Sequence, residues 1–306
     1  MKTSIVASVY NEEDVLSSFH KKLCETLNNE LINYELIYVN DGSTDKTEEL
    51  ILEFQKSNPS IKYIAFSRNF GHEAAMIAGI DYASGDVVIC MDSDLQHPPS
   101  EIIKMINEYH NGFDIVTMAR ENKKQNISSV LFYKLINWIS PFKIQENASD
   151  FFLVSAKVAD VLRNNYRERT RFLRGLIQII GFKKSTLIFK VSQREQGKTK
   201  YSKRKLISLT MTAVSSLSKL PLKAGILIGI ICGFLSFILA IFSIVMKFID
   251  QPVSGYTTIV VFLGFMFSIQ FILLGILGEY LGFIFDEQKK RPIYIVDKTT
   301  NIEIIK

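Results

Sequence analysis

The sequence predicts an α/β domain with a mostly parallel central sheet, followed by an amphipathic helix and two long apolar helices. Three observations predict it. Short β-rich runs alternate with helical patterns through the first 120 residues. A cluster of polar or charged residues follows each run. Two apolar stretches lie after Leu220.

Residues 4–10, 34–40, 61–67, 86–91 and 114–119 are rich in Ile, Val, Tyr and Phe between polar punctuation, the pattern of strands. Between them, Val15, Phe19, Leu23 and Leu27 repeat every four residues. Leu50, Ile51 and Phe54 make a second helical face, and Ile102, Ile103 and Ile106 a third, opened by Pro98-Pro99-Ser100. Strands alternating with helices imply βαβ units. The strands read as continuous apolar runs, as expected when both sheet faces are covered.

The chain of 306 residues is 47% hydrophobic, and much of the excess lies late. Residues 222–246 and 257–285 are each long enough to cross a bilayer, which takes roughly 20 apolar residues. Lys198, Lys200, Lys203, Arg204 and Lys205 precede the pair, and Lys289, Lys290 and Arg291 follow it. The excess of positive charge puts both outer flanks in the cytoplasm and the short 247–256 linker on the other side. Glu279 lies about 33 Å into the second stretch, at 1.5 Å per residue, near the cytoplasmic interface. Residues 202–220 mix apolar side chains with Lys203, Arg204, Lys205 and Lys219, as an amphipathic helix on an anionic surface does. The expected divisions are a catalytic domain over 1–200, a juxtamembrane helix over 201–221, a two-helix hairpin over 222–286 and a tail over 287–306.

Other classes are disfavoured. The first twenty residues hold Asn11, Glu12, Glu13 and Asp14, so no signal-peptide core is expected there. Cys24, Cys90 and Cys232 lack CxxC spacing and suit a reducing compartment. A net charge of +5 is too weak to argue for nucleic acid. No GxGxxG follows the first strand, which argues against a dinucleotide-binding domain.

In parallel sheets, ligands bind beyond the carboxyl ends of the strands. Those ends carry Tyr10 to Glu13, Asn40 to Ser43, Arg68 to Gly71, Asp92 to Asp94, and Arg120. Asp92 and Asp94 place carboxylates at i and i+2, with Gln96 at the same interval. Hard divalent cations such as Mg²⁺ take oxygen ligands and share them with substrate phosphates. Asp41 can accept a hydrogen bond from a base or ribose, while Gly42 permits a tight turn and Thr44 is expected to cap the next helix.

The motifs VYNEE, VNDGSTD, SRNFGHEAA, ASGD and MDSDLQHPP resemble those of the polyprenyl-phosphate branch of the inverting GT-A glycosyltransferases. The likeness continues through REQGKTKY at 194–201, GEYLG at 278–282 and Lys290-Arg291-Pro292, and so covers nearly the whole chain. The resemblance implies a GT-A fold, a nucleotide-sugar donor, a polyprenyl phosphate acceptor such as undecaprenyl phosphate, and Mg²⁺ or Mn²⁺. It implies that Tyr10, Glu12 and Asp41 hold the nucleotide, with Arg68 and Asp92 beside them. Asp92, Asp94 and Gln96 are then the metal ligands. Arg120, Ser129 and Arg194 meet phosphate groups, and the basic stretch adds Lys200. Asp150, in SDFFLVS, matches the aspartate beside the reacting sugar, so Asp150, Asp94 and Arg120 form the catalytic set. Phe152 stands where the family usually has arginine, Thr199 where serine is usual, and the second arginine downstream of Arg120 is missing. Similar proteins include dimers and tetramers, so a homo-oligomer stays open.

The mechanism implied is attack of an already ionised lipid phosphate on the anomeric carbon, with inversion, by positioning and charge neutralisation. A processive polysaccharide synthase would also need a QxxRW motif, and the single tryptophan, Trp138, sits in KLINWIS. A non-catalytic scaffold is disfavoured by the intact acidic pair. A channel built from two spans leaves the acidic strand ends unexplained.

Overall fold

A computed structural model of the chain describes residues 1–121, 148–168, 173–190, 220–249 and 255–302. Contacts group the chain into two compact units, Met1–Ser208 with Arg291–Lys306, and Leu209–Lys290.

The first unit is built on an eight-stranded sheet. Its strands are β1 (Thr3–Val9), β2 (Tyr34–Asn40), β3 (Ile61–Phe66), β4 (Val87–Asp92), β5 (Ile115–Arg120), β6 (Ala148–Ser155), β7 (Lys184–Phe189) and β8 (Val296–Thr300). The spatial order is β7-β5-β6-β4-β1-β2-β3-β8. β6 and β8 run against the other strands. The sheet is therefore mostly parallel, as the alternating pattern requires.

Both faces are covered, which is why the central strands are buried almost end to end and largely apolar, with a few buried polar residues such as Ser4 and Glu35. Ile5, Ala7 and Val9 join one core with Leu16, Phe19, Leu23 and Leu27 of α1 (Leu16–Asn29), Ile51 of α2 (Thr47–Ser57) and Ile102, Met105 and Ile106 of α4 (Glu101–His110). Val6 faces the other core, shared with α3 (His72–Tyr82), α5 (Ala156–Asn165) and α6 (Leu173–Ile179). Helix α3 is buried from Ala74 to Ile80, and it crosses β1 closely at Gly79. A Cβ on Gly79 would lie 2.0 Å from Val6 Cγ1, so only glycine permits this approach. In α4 it is Met105 rather than Ile103 that completes the buried face.

The C-terminal residues return to this unit. β8 pairs antiparallel with β3, and Ser67 N donates to Ile295 O at 3.0 Å. Tyr294 stacks on Phe66 and its hydroxyl donates to Asp81 at 2.7 Å.

The second unit contains two long helices, α7 (Leu220–Phe248) and α8 (Tyr256–Gln288), which pack on each other. Among the described residues one helix, spanning Phe262–Gln288, is long and apolar enough to cross a membrane. The expected amphipathic segment at 202–220 lies almost wholly outside the described residues.

Candidate active site

The parallel strands deliver their carboxyl ends to one edge of the sheet, and β6, running the other way, begins there. Register pairs Cys90 with Phe152. Continued by two residues, it sets Asp150 of β6 beside Asp92 of β4. The two carboxylates that sequence reasoning assigned to separate tasks thus become neighbours.

The β1 and β2 ends are knitted together. Asn11, at φ 53°, accepts the Thr44 N–H at 2.9 Å and donates its own N–H to Ser43 Oγ at 3.0 Å. Glu12 N donates to Thr47 Oγ1 at 3.0 Å. The expected capping by Thr44 is not what α2 uses. Its hydroxyl lies before Lys46, the residue preceding the helix, and Asp45 Oδ1 accepts the first helical N–H, from Thr47, at 3.0 Å. Tyr10, just past the end of β1, is 40% exposed.

Asp41 is buried and accepts the N–H groups of Phe70 at 2.6 Å and Gly71 at 2.9 Å, one on each oxygen. Burial pushes its carboxyl above the ordinary range, and these amides partly offset that. Its main observed work is therefore to hold the 68–71 loop. Gly42, at φ +72°, lets the β2 end run beneath that loop, where a Cβ would meet Arg68 C at 2.6 Å. Arg68 lays its guanidinium 4.0 Å over the Phe70 ring.

The β4 end makes a tight turn. Leu95 adopts φ 62°, a conformation that costs an ordinary residue roughly 1–2 kcal/mol. The turn folds Gln96 back onto Asp94, to which it donates from its backbone N at 3.1 Å and from Nε2 at 2.8 Å. Gln96 thus meets the acidic pair through its nitrogen. Asp92 Oδ1 faces His72 Nε2 at 3.2 Å, and Oδ2 faces the buried His97 Nε2 at 3.6 Å.

Among the described residues no cluster of three or more His, Cys, Asp or Glu side chains encloses a metal site. The donor set at the β4 end nevertheless fits a hard divalent ion. Such an ion commonly takes one or two protein carboxylates and completes its shell with substrate phosphates and water.

Asp150 is gripped by Arg174 of α6, with Nε to Oδ1 at 3.0 Å and the second guanidinium nitrogen to Oδ2 at 2.5 Å. Burial would raise its carboxyl, but the guanidinium overrides this and holds it at about 2. His72 lies 3.8 Å from Asp150 and accepts or donates a 2.7 Å hydrogen bond with Ser8 Oγ. Glu73, next along α3, is raised to about 7 by burial and by the Asp150 charge. Arg120 ends β5 exposed. Ser129, Arg194 and Lys200 lie outside the described residues.

The chain matches Glycosyl transferase family 2 over residues 4–195. It belongs to that family. The glycosyltransferase YkcC of Bacillus subtilis strain 168 is 36% identical over 98% of this chain and 94% of its own length. A bactoprenol glucosyl transferase of Shigella phage SfII is 35% identical over 98% of both chains. Among solved structures, glucosyl-3-phosphoglycerate synthase of Mycobacterium tuberculosis with Mn²⁺, UDP and phosphoglyceric acid is similar at a TM-score of 0.50. That likeness covers 71% of this chain and 77% of the other at 18% identity, and it shows the shared fold.

Sequence reasoning on this family 2 chain missed three groups. His72 and Glu73 were inside SRNFGHEAA, but nothing in the string says that α3 aims them at Asp92 and Asp150. Arg174 carried no signal at all, because its partner is 24 residues away. The guanidinium beside Asp150 comes from there. Phe152, at the position where arginine is usual, is instead 1% exposed in the core.

Proposed function

We propose that this chain transfers a hexose, glucose being the first candidate, from a nucleoside diphosphate sugar to undecaprenyl or a related polyprenyl phosphate. The configuration at the anomeric carbon is inverted. The product is a lipid-linked sugar donor for the cell envelope. The kinship with bactoprenol glucosyl transferase over the full chain supports the substrate pair.

One observation carries the mechanism: Asp150 is clamped by Arg174 at about 2. A carboxylate that acidic is a poor proton acceptor near neutral pH. An ionised phosphate acceptor needs no proton removed, since its second pKa is about 6. Asp150 therefore orients the acceptor or stabilises positive charge growing on the sugar ring, and Arg174 keeps it charged and aimed. Asp92 and Asp94, with Gln96, hold the divalent ion. When bound, that ion supplies charge neutralisation for the departing diphosphate. Asp41 shapes the 68–71 loop, and Tyr10, Glu12 and Arg68 bind the nucleotide. Arg120, Ser129, Arg194 and Lys200 receive the lipid phosphate.

Helices α7 and α8 form a two-helix membrane anchor, which keeps the catalytic domain on the cytoplasmic face. The apolar side chains exposed along both, such as Phe234, Phe237, Phe267 and Phe271, support this reading. The test offers radiolabelled nucleotide-sugars to the full chain in membranes with polyprenyl phosphate and Mg²⁺ or Mn²⁺. Label in the organic phase is expected with one donor. No label with any donor would sink the proposal.

A further inference from the structure

His97 is fully buried, stacked on Phe151 at 5.0 Å and edge-on to Phe189 at 5.7 Å. Its Nδ1 accepts the backbone N–H of Asp92 at 3.0 Å. A nitrogen that accepts carries no proton, so the neutral ring holds its proton on Nε2. Among the described residues Nε2 has no hydrogen-bond partner. It points at Asp92 Oδ2 from 3.6 Å, beyond ordinary hydrogen-bond length. The same imidazole thus holds Asp92 by its main chain and faces its carboxylate. The other oxygen, Oδ1, is turned towards His72, whose side chain is 40% exposed.

We propose that His97 is a positioning residue for the divalent cation: it keeps Asp92 Oδ2 turned inward, so that Oδ1 alone is presented to the ion. A small rotation of Asp92 closes the Nε2–H to Oδ2 gap into a hydrogen bond. This satisfies the buried donor and fixes the carboxylate as a one-oxygen ligand. Partners behind the ligands of a metal commonly set affinity in this way. The proposal rests on the reading of Asp92 as a metal ligand.

The test measures Mn²⁺ binding to the full chain with UDP present, by the loss of the free-ion EPR signal. H97N keeps an acceptor for the Asp92 N–H and lacks the Nε2 donor. H97Q places a donor amide near the Nε2 position. H97N is expected to bind Mn²⁺ roughly 10- to 100-fold more weakly. H97Q is expected to recover part of that loss, and UDP binding in EDTA is expected to be unchanged in both. On a D92N background, H97N is expected to add no further loss. Wild-type Mn²⁺ affinity in H97N would overturn the role of His97, as would an equal loss of metal-free UDP binding. Failure of the wild-type chain to bind Mn²⁺ would instead strike the metal reading itself. If H97N does not fold, H97Q decides: affinity as weak as that of D92N overturns the proposal.

Discussion

Arg174 holds both oxygens of Asp150, reaching from α6 to the start of β6 with contacts of 3.0 and 2.5 Å. The pair sets the charge state at the centre of the site. It also fixes the direction of the carboxylate, because a guanidinium fork bonds both oxygens in one plane. Replacing Arg174 by alanine frees the carboxylate to rotate and lets burial raise it. The expected result is a fall in kcat of roughly 100-fold, the scale of a small misplacement. Lysine recovers little, since it lacks the fork. R174A is also expected to gain an acid limb in its kcat/KM profile that the wild type lacks at the same pH.

Asp150 and Asp94 are expected to separate under mutation. D150N keeps the shape and loses the charge, and it should retain a measurable fraction of activity if orientation is the role. D94A removes an oxygen proposed to hold the divalent ion and should abolish metal-dependent turnover. Near-complete loss in D150N would point to obligatory proton transfer.

Glu73 provides a stability test with a definite sign. Its carboxyl is raised from 4.5 to about 7 in the folded chain. Between those values the folded state binds more protons than the unfolded state, so stability falls as pH rises. The contribution is fully present below about 4.5 and is lost as pH passes 7. Melting curves of wild type are expected to decline across that window relative to E73Q. Parallel curves would show that Glu73 is not held protonated.

Gly42 tests the loop architecture. At φ +72°, with a Cβ of any replacement 2.6 Å from Arg68 C, alanine forces β2 and the 68–71 loop apart. G42A is expected to destabilise by at least about 1 kcal/mol, the cost of a left-handed non-glycine residue. Its KM for the nucleotide-sugar should rise more than its kcat falls. An unchanged KM would separate the loop from donor binding.

Tyr294 lies in the returning tail. Y294F removes the hydroxyl that donates to Asp81, while Arg167 still pairs with that carboxylate at 2.8 Å. The expected loss is only about 1 kcal/mol. Y294A also strips the stacking on Phe66, which itself meets Phe70 edge-on at 5.7 Å. It should therefore weaken donor binding as well as stability, measured by titration and by urea midpoint.

Strands β1 to β5 were legible because each is an apolar run buried on both faces. Their polar ends were legible because a parallel sheet gathers them at one edge. β6 was seen only through Asp150, and β7 and β8 not at all. β8 reads VDKTT, an edge strand with mostly exposed side chains and no apolar run to betray it. The pairing of Arg174 with Asp150 and the protonated nitrogen of His97 depend on tertiary approach, which spacing does not encode. Asp41 was expected to bind ligand. The structure shows its carboxylate accepting two loop amides, a use that one residue type shares with many others.

β8 has a consequence for how the enzyme is made. The ribosome releases the chain from its N-terminus, and domains fold in that order. The edge strand beside β3 emerges only after both apolar helices have left the ribosome. The sheet is then finished by a segment that follows the two apolar helices. Nascent protein stalled before residue 296 carries an open β3 edge, so proteolysis of such intermediates should cut there until the last strand docks.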